Sequence, residues 1–183
     1  MFWMHLGRFM RRSGVAHNCP MARTRTPLAS TPAGNLAEVA LTPVIGYQIA
    51  QASVTANRIY EATVGQPLGL HRLAFSILVL VQGNPGCTVS SLSKALNVSM
   101  PNTVLWVDRI MGKGWLERVP NVSDRRSNHL RLTPEGLAMV EQAQAAVLAG
   151  EEATLSNLSK AERAILAELL HKVALSRDRV PLG

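Results

Sequence analysis

The chain has 183 residues, 47% of them apolar and only 17% charged, a balance that excludes global disorder and suffices for one domain with appendages. Nineteen Lys and Arg against twelve Asp and Glu leave a formal charge of +7, which favours an anionic partner such as nucleic acid. Two cysteines and five scattered histidines with no i, i+4 pair give neither a disulfide framework nor a metal quartet, so no metal and no cofactor is expected.

Residues 1–34 are predicted as a flexible basic tail. They carry Arg8, Arg11, Arg12, Arg23 and Arg25, no acid, and close on the Thr-, Pro- and Ala-rich "TRTPLASTPAGN". Arg8 interrupts the first apolar run, unlike a secretory leader. Met21, at the head of "MARTRTP", can serve as a start as well as Met1. Apolar runs are too short to cross a bilayer, and a cytoplasmic protein with reduced thiols is expected.

From Leu36 to Thr63, Leu41, Val44, Ile45, Ile49, Ala52 and Ile59 recur at helical spacing. Pro43 suggests a start there with Thr42 as cap, and "GQPLGL" is predicted to break the chain. "HRLAFSILVLVQG" is apolar nearly all round and predicts a buried helix ending near Gly83. "CTVSSLSKAL" predicts a short helix capped by Thr88, with Val89, Leu92 and Leu96 inward. Asn97 tolerates the left-handed turn that closes it. A second helix follows over "SMPNTVLWVDRIMGK", with Ser99 as cap and Pro101 in its first turn.

"WLERV" and "HLRL" predict two short strands, Leu130 and Leu132 facing in and Arg131 out. Between them, "NVSDRRSN" sets Arg125 beside Arg126 at the tip of a hairpin. "TPEG" restarts a helix capped by Thr133, carried on Leu137, Val140, Gln144 and Val147. The last helix opens with the Ser159–Glu162 capping box and presents Ile165, Leu166, Leu169, Leu170 and Val173.

Two short helices joined by a tight turn, then a hairpin with a basic tip, make a winged helix-turn-helix. The expected fold is mainly α with a small β-hairpin wing (α+β). Such a unit offers its second helix to the major groove and its wing to the minor groove, where a narrow A·T tract attracts arginine. Against this stands a plain solvated hairpin; the helix-turn-helix in front of it favours DNA.

"GWLERVPNVSDRRSNHLRLTPEG", preceded by "VSMPNTVLWVDRIMGKG" and followed by "LSKAERAILAELLHKVA", resembles the MarR family of bacterial transcription regulators. The resemblance spans about residues 36–176. It implies a homodimer through N- and C-terminal helices, with 35–66 and 134–177 as the dimerisation region and 67–133 as the DNA-binding lobe. It also implies double-stranded DNA with a pseudo-palindromic operator as partner, no membrane, and repression released by a small aromatic or phenolic ligand or by thiol oxidation. The ligand-binding residues are unknown. Arg126 falls at the family's minor-groove arginine, and Asp108 and Asp124 at acids that would orient the wing. At positions where the family usually carries Thr and Arg stand Val104 and Leu105. Base readout is therefore expected from Ser99, Asn102, Thr103 and Val104, with Arg109 and Arg125 on phosphates; alternatively Val104 and Leu105 cover core. Cys87 is expected to be a packed thiol, not a sensor.

The runner-up is a winged-helix protein-interaction module without specific DNA binding. An enzyme fares worst, because no nucleophile elbow, phosphate loop or dinucleotide fingerprint occurs.

Overall fold

A computed structural model describes residues 30–120 and 128–179. The tail up to residue 29, with Cys19, therefore lies outside the described residues, as do Asp124, Arg125 and Arg126. The chain divides into two compact units, one ending at Gln48 and the other running from Ile49. In the first, the Tyr47 hydroxyl donates to the buried Glu38 carboxylate at 2.6 Å.

Helix α1 (Ile45–Tyr60) begins two residues beyond Pro43. The Thr42 hydroxyl, three residues before it, donates to the Glu38 carbonyl. A π-turn over Glu61–Gly65 then runs into α2 (Gln66–Leu68). The break predicted at "GQPLGL" comes only at its fifth residue, Gly69, whose φ of 58° takes the left-handed conformation. Pro67 is accommodated because it sits at the start of α2, where an N–H is dispensable.

Helix α3 (Arg72–Gly83) is the buried helix its composition predicted, with Ala74, Ile77, Leu78 and Val81 inside. Helix α4 (Val89–Leu96) is fixed by a reciprocal box in which Thr88 and Ser91 satisfy each other's backbone amides. Asn97 closes it at φ 52°, and Ser93 Oγ donates to the Val98 carbonyl at 2.7 Å. Helix α5 (Met100–Gly112) follows at once, with Pro101 in its first turn.

Strands β1 (Leu116–Pro120) and β2 (Asn128–Leu132) pair antiparallel, Leu116 opposite Leu132 and Arg118 opposite Leu130. The turn before α4 joins β2 edge-on: Gly86 N–H donates to the Leu130 carbonyl and Leu130 N–H to that of Cys87. Helices α6 (Pro134–Thr154) and α7 (Lys160–Ala174) complete the chain.

Of the line predicted for α6, Val140 is buried and Val147 packs against the core, but Leu137 and Gln144 are exposed, and Gly136 and Ala143 join Val140 on the inward face. Close approach sets that rotation. A Cβ on Gly136 would stand 1.9 Å from the Trp115 carbonyl oxygen, so only glycine lets α6 start against β1. The core gathers Leu70, Ile77, Leu78, Val81, Leu92, Val107, Ile110, Leu116, Leu130 and Val140. These come from every element between α3 and α6, so helix-turn-helix and wing share one core.

Candidate nucleic-acid interface

Helix α5 divides its residues sharply. Thr103, Val107 and Ile110 are buried against the lobe, while Asn102, Leu105, Asp108 and Arg109 are exposed, as 3.6-residue periodicity requires. Ser99 stands at the N-cap, but its side chain makes no capping bond. Its hydroxyl is thus not committed to the helix end, whereas its carbonyl accepts from both the amide and the hydroxyl of Thr103.

Thr103 must be withdrawn from the expected base readers. It is 0% exposed, and its hydroxyl is spent 3.0 Å away on the Ser99 carbonyl, an internal satisfaction that a buried polar group needs. Val104 is half-buried on the flank. Leu105 does not cover core: it is 47% exposed.

Asp108 or Asp124 is expected to hold the wing arginine Arg126, and both Asp124 and Arg126 lie outside the described residues. Among the described residues Asp108 pairs with Arg118, whose Nη2 donates to Asp108 Oδ1 at 2.8 Å. The strand geometry explains this. Arg118 lies two residues from Leu116 and opposite Leu130, hence on the core-facing side of the hairpin. Where the sheet passes α5, Asp108 meets the Arg118 guanidinium, whose side chain stays 38% exposed. Period-2 alternation puts Arg118 on the α5 side of β1 from sequence alone, but its exposure means that no burial cost compels the pair. The opposite face carries the cross-strand pair Arg131–Glu117, also 2.8 Å. Recognition helix and wing are thereby pinned to each other by charge as well as by core.

Arg109 lies over the Trp106 indole, its Cζ 4.9 Å from the ring centroid, a cation–π contact that holds the guanidinium near the helix surface. The His71 imidazole stacks on the same indole, centroids 4.3 Å apart. His71 also caps α3, because its Nδ1 accepts from the Leu73 amide at 3.2 Å. Its stacking on the recognition helix had no sequence signal. Cys87 is half-buried, and that burial pushes its thiol above the usual range. Such a thiol is less ionised and a poorer nucleophile.

Helix α7 buries none of its residues. Ile165, Leu166, Leu169, Leu170 and Val173, the whole predicted stripe, are between 43 and 55% exposed. Among the described residues, no single helix is long and apolar enough to cross a membrane.

Comparison with known proteins places these features. The MarR family pattern matches residues 70–128. The multiple antibiotic resistance protein MarR of Escherichia coli strain K12 is 34% identical over 108 residues, 58% of this chain and 75% of that protein. Among solved structures, the transcriptional repressor CouR bound to a 23-mer DNA duplex superposes with a TM-score of 0.69 at 30% identity, over 76% of this chain and 98% of CouR. A cysteine-to-serine variant of MarR from E. coli, complexed with operator DNA, superposes at 0.63 with 29% identity, over 74% of this chain and 96% of that one.

Proposed function

The chain belongs to the MarR family of winged-helix transcriptional regulators, and from that premise we propose that it is a sequence-specific double-stranded DNA-binding repressor acting as a homodimer. One observation carries the reading. A recognition helix with its inward face fully packed presents Asn102 and Arg109 outward and is tied through Asp108–Arg118 to a hairpin wing. That is the geometry of a unit that must hold two contact points in fixed register on a duplex.

Ser99, Asn102 and Val104 face base edges; Asn102 has the donor–acceptor pair that matches adenine. Arg109 takes a phosphate from its seat on Trp106. Arg126 enters the minor groove, with Asp124 steering it, and Arg125 neutralises phosphate beside it. The exposed α7 stripe is the surface that a second copy covers, and the dimer addresses the two halves of a pseudo-palindromic operator. The protein acts in the cytoplasm by binding, not catalysis. A small aromatic or phenolic ligand releases it, which requires that ligand to bind the DNA-incompetent lobe spacing more tightly than the competent one.

The test is binding of the purified protein to the DNA immediately upstream of its own gene at two salt concentrations. Tight binding that falls roughly tenfold or more between low and moderate salt is expected for several neutralised phosphates. Failure to bind that DNA, and random duplex at low salt as well, would overturn the proposal.

A further inference from the structure

Between Leu70 and Leu132, the described large apolar side chains are buried or half-buried apart from two. Among the described residues there, the exposed large hydrophobics are Met100 and Leu105, at 43 and 47%, and both lie on α5. Single exposed leucines are common on protein surfaces, but two exposed large hydrophobics on the one helix that faces DNA, where the other described ones of the lobe are buried or half-buried, are a selective exposure. Leu105 has no part in the core, since α5 fills its inward face with Thr103, Val107 and Ile110. It projects on the opposite side, between Asn102 one turn before and Arg109 one turn after. Among the described residues, the ion pair from α5 to β1 is made by Asp108, not on the Leu105 side.

We infer that Leu105 is a specificity-determining residue that reads the C5-methyl groups of thymines in the major groove; the inference rests on the DNA-binding reading above. The methyl is the apolar feature that separates thymine from the other natural bases in that groove. Leu105 cannot hydrogen-bond a base edge, so a contact with it discriminates only by apolar burial. Asn102 stands about 4.5 Å away along the helix axis, close to the base-pair rise of roughly 3.4 Å. An adenine bonded by Asn102 and a thymine methyl under Leu105 therefore fall on the same or adjacent A·T pairs. Met100, at the first turn, adds a second adaptable apolar surface beside Val104. This chain consequently selects an A·T-rich half-site through shape and methyl contact where a polar side chain would select by hydrogen bonds.

The experiment uses the full chain. A binding duplex is selected from a random-sequence pool by the wild-type protein, and each thymine is then replaced singly and symmetrically by deoxyuridine, which removes the methyl and keeps the pairing. Loss of one buried methyl should weaken binding about fourfold, and its loss in both half-sites about fifteenfold. Leu105→Ala should bind the thymine and deoxyuridine duplexes alike, while Leu105→Met should restore the difference. Wild-type binding that falls with salt but ignores every deoxyuridine would overturn the inference and leave the regulator standing. A deoxyuridine effect that persists undiminished in Leu105→Ala would overturn it equally, by assigning the methyl contact to another residue. Wild-type protein that selects no duplex at all would remove both readings.

Discussion

The winged lobe and helix α7 are built from similar materials and end in opposite states. Both are punctuated by strong local signals: the Thr88–Ser91 box opens α4, and the Ser159–Glu162 box opens α7. Yet the lobe packs Ile77, Leu78, Val107 and Leu130 out of solvent, whereas α7 buries nothing. Capping thus decides where a helix starts, and burial decides whether it stands. A 15-residue helix with no packed face is marginal in water, so α7 is complete only with a second surface over its stripe. The lobe is self-sufficient within one chain, and the C-terminal helix is not.

The comparison breaks most visibly if the stripe is charged. Leu166→Glu with Leu169→Glu should yield a monomer by light scattering, with the lobe's folding intact. Operator affinity should then fall by roughly two orders of magnitude or more, because two linked half-site contacts become independent. A double variant that stays dimeric would assign the interface elsewhere.

Leu130→Ala inverts that result. Deleting a fully buried side chain at the meeting of wing and helices should cost about 3 kcal/mol in denaturant unfolding, and Leu105→Ala, at an exposed site, less than about 0.5 kcal/mol. Gly136→Ala belongs with the first, at about 3 kcal/mol, since the obstructing atom is backbone and cannot rotate away. Equal costs for Leu130→Ala and Leu105→Ala would mean that the lobe is not held by the core described.

Tyr60 sharpens the boundary between packed and open regions. Its hydroxyl donates to the Leu70 carbonyl at 3.0 Å, and its pKa is pushed up to about 12, first by burial and then by Glu61, with Arg72 opposing. The folded protein therefore favours the neutral phenol. Stability from this group is full below about pH 10, the ordinary tyrosine value, and is lost as pH rises through about 12. Tyr60→Phe should cost about 1 kcal/mol at neutral pH for the lost bond, and should flatten the decline of stability above pH 10.

What was legible in the sequence was local. Thr88, Asn97, Thr133–Pro134 and the Ser159 box act through neighbours a few residues away, and all stand where expected. What was not legible is set by approach between distant segments. The start of α1 depends on turns before it. The rotation of α6 depends on Trp115 meeting Gly136. Thr103 looked like a polar reader because spacing cannot say that its hydroxyl finds the Ser99 carbonyl. The base-reading assignments rest on which helix face is exposed, and that face became definite only once the core had claimed the other.

The smallest effect on stability accompanies an informative effect on binding. The Asp108–Arg118 pair is 2.8 Å long but exposed, with 54 and 38% of the two side chains open to solvent. Removing it should change unfolding by less than about 1 kcal/mol, because exposed pairs are screened and entropically costly. Asp108→Ala also deletes a negative charge from a surface that meets phosphate, and simple electrostatics would then strengthen DNA binding. If the pair instead fixes the wing against the recognition helix, the same variant should bind operator several-fold more weakly while keeping its affinity for random duplex. Asp108→Glu, which keeps the charge and lengthens the reach, should fall between the two. Stronger operator binding by Asp108→Ala would reduce the pair to a surface contact and leave wing placement to the shared core alone.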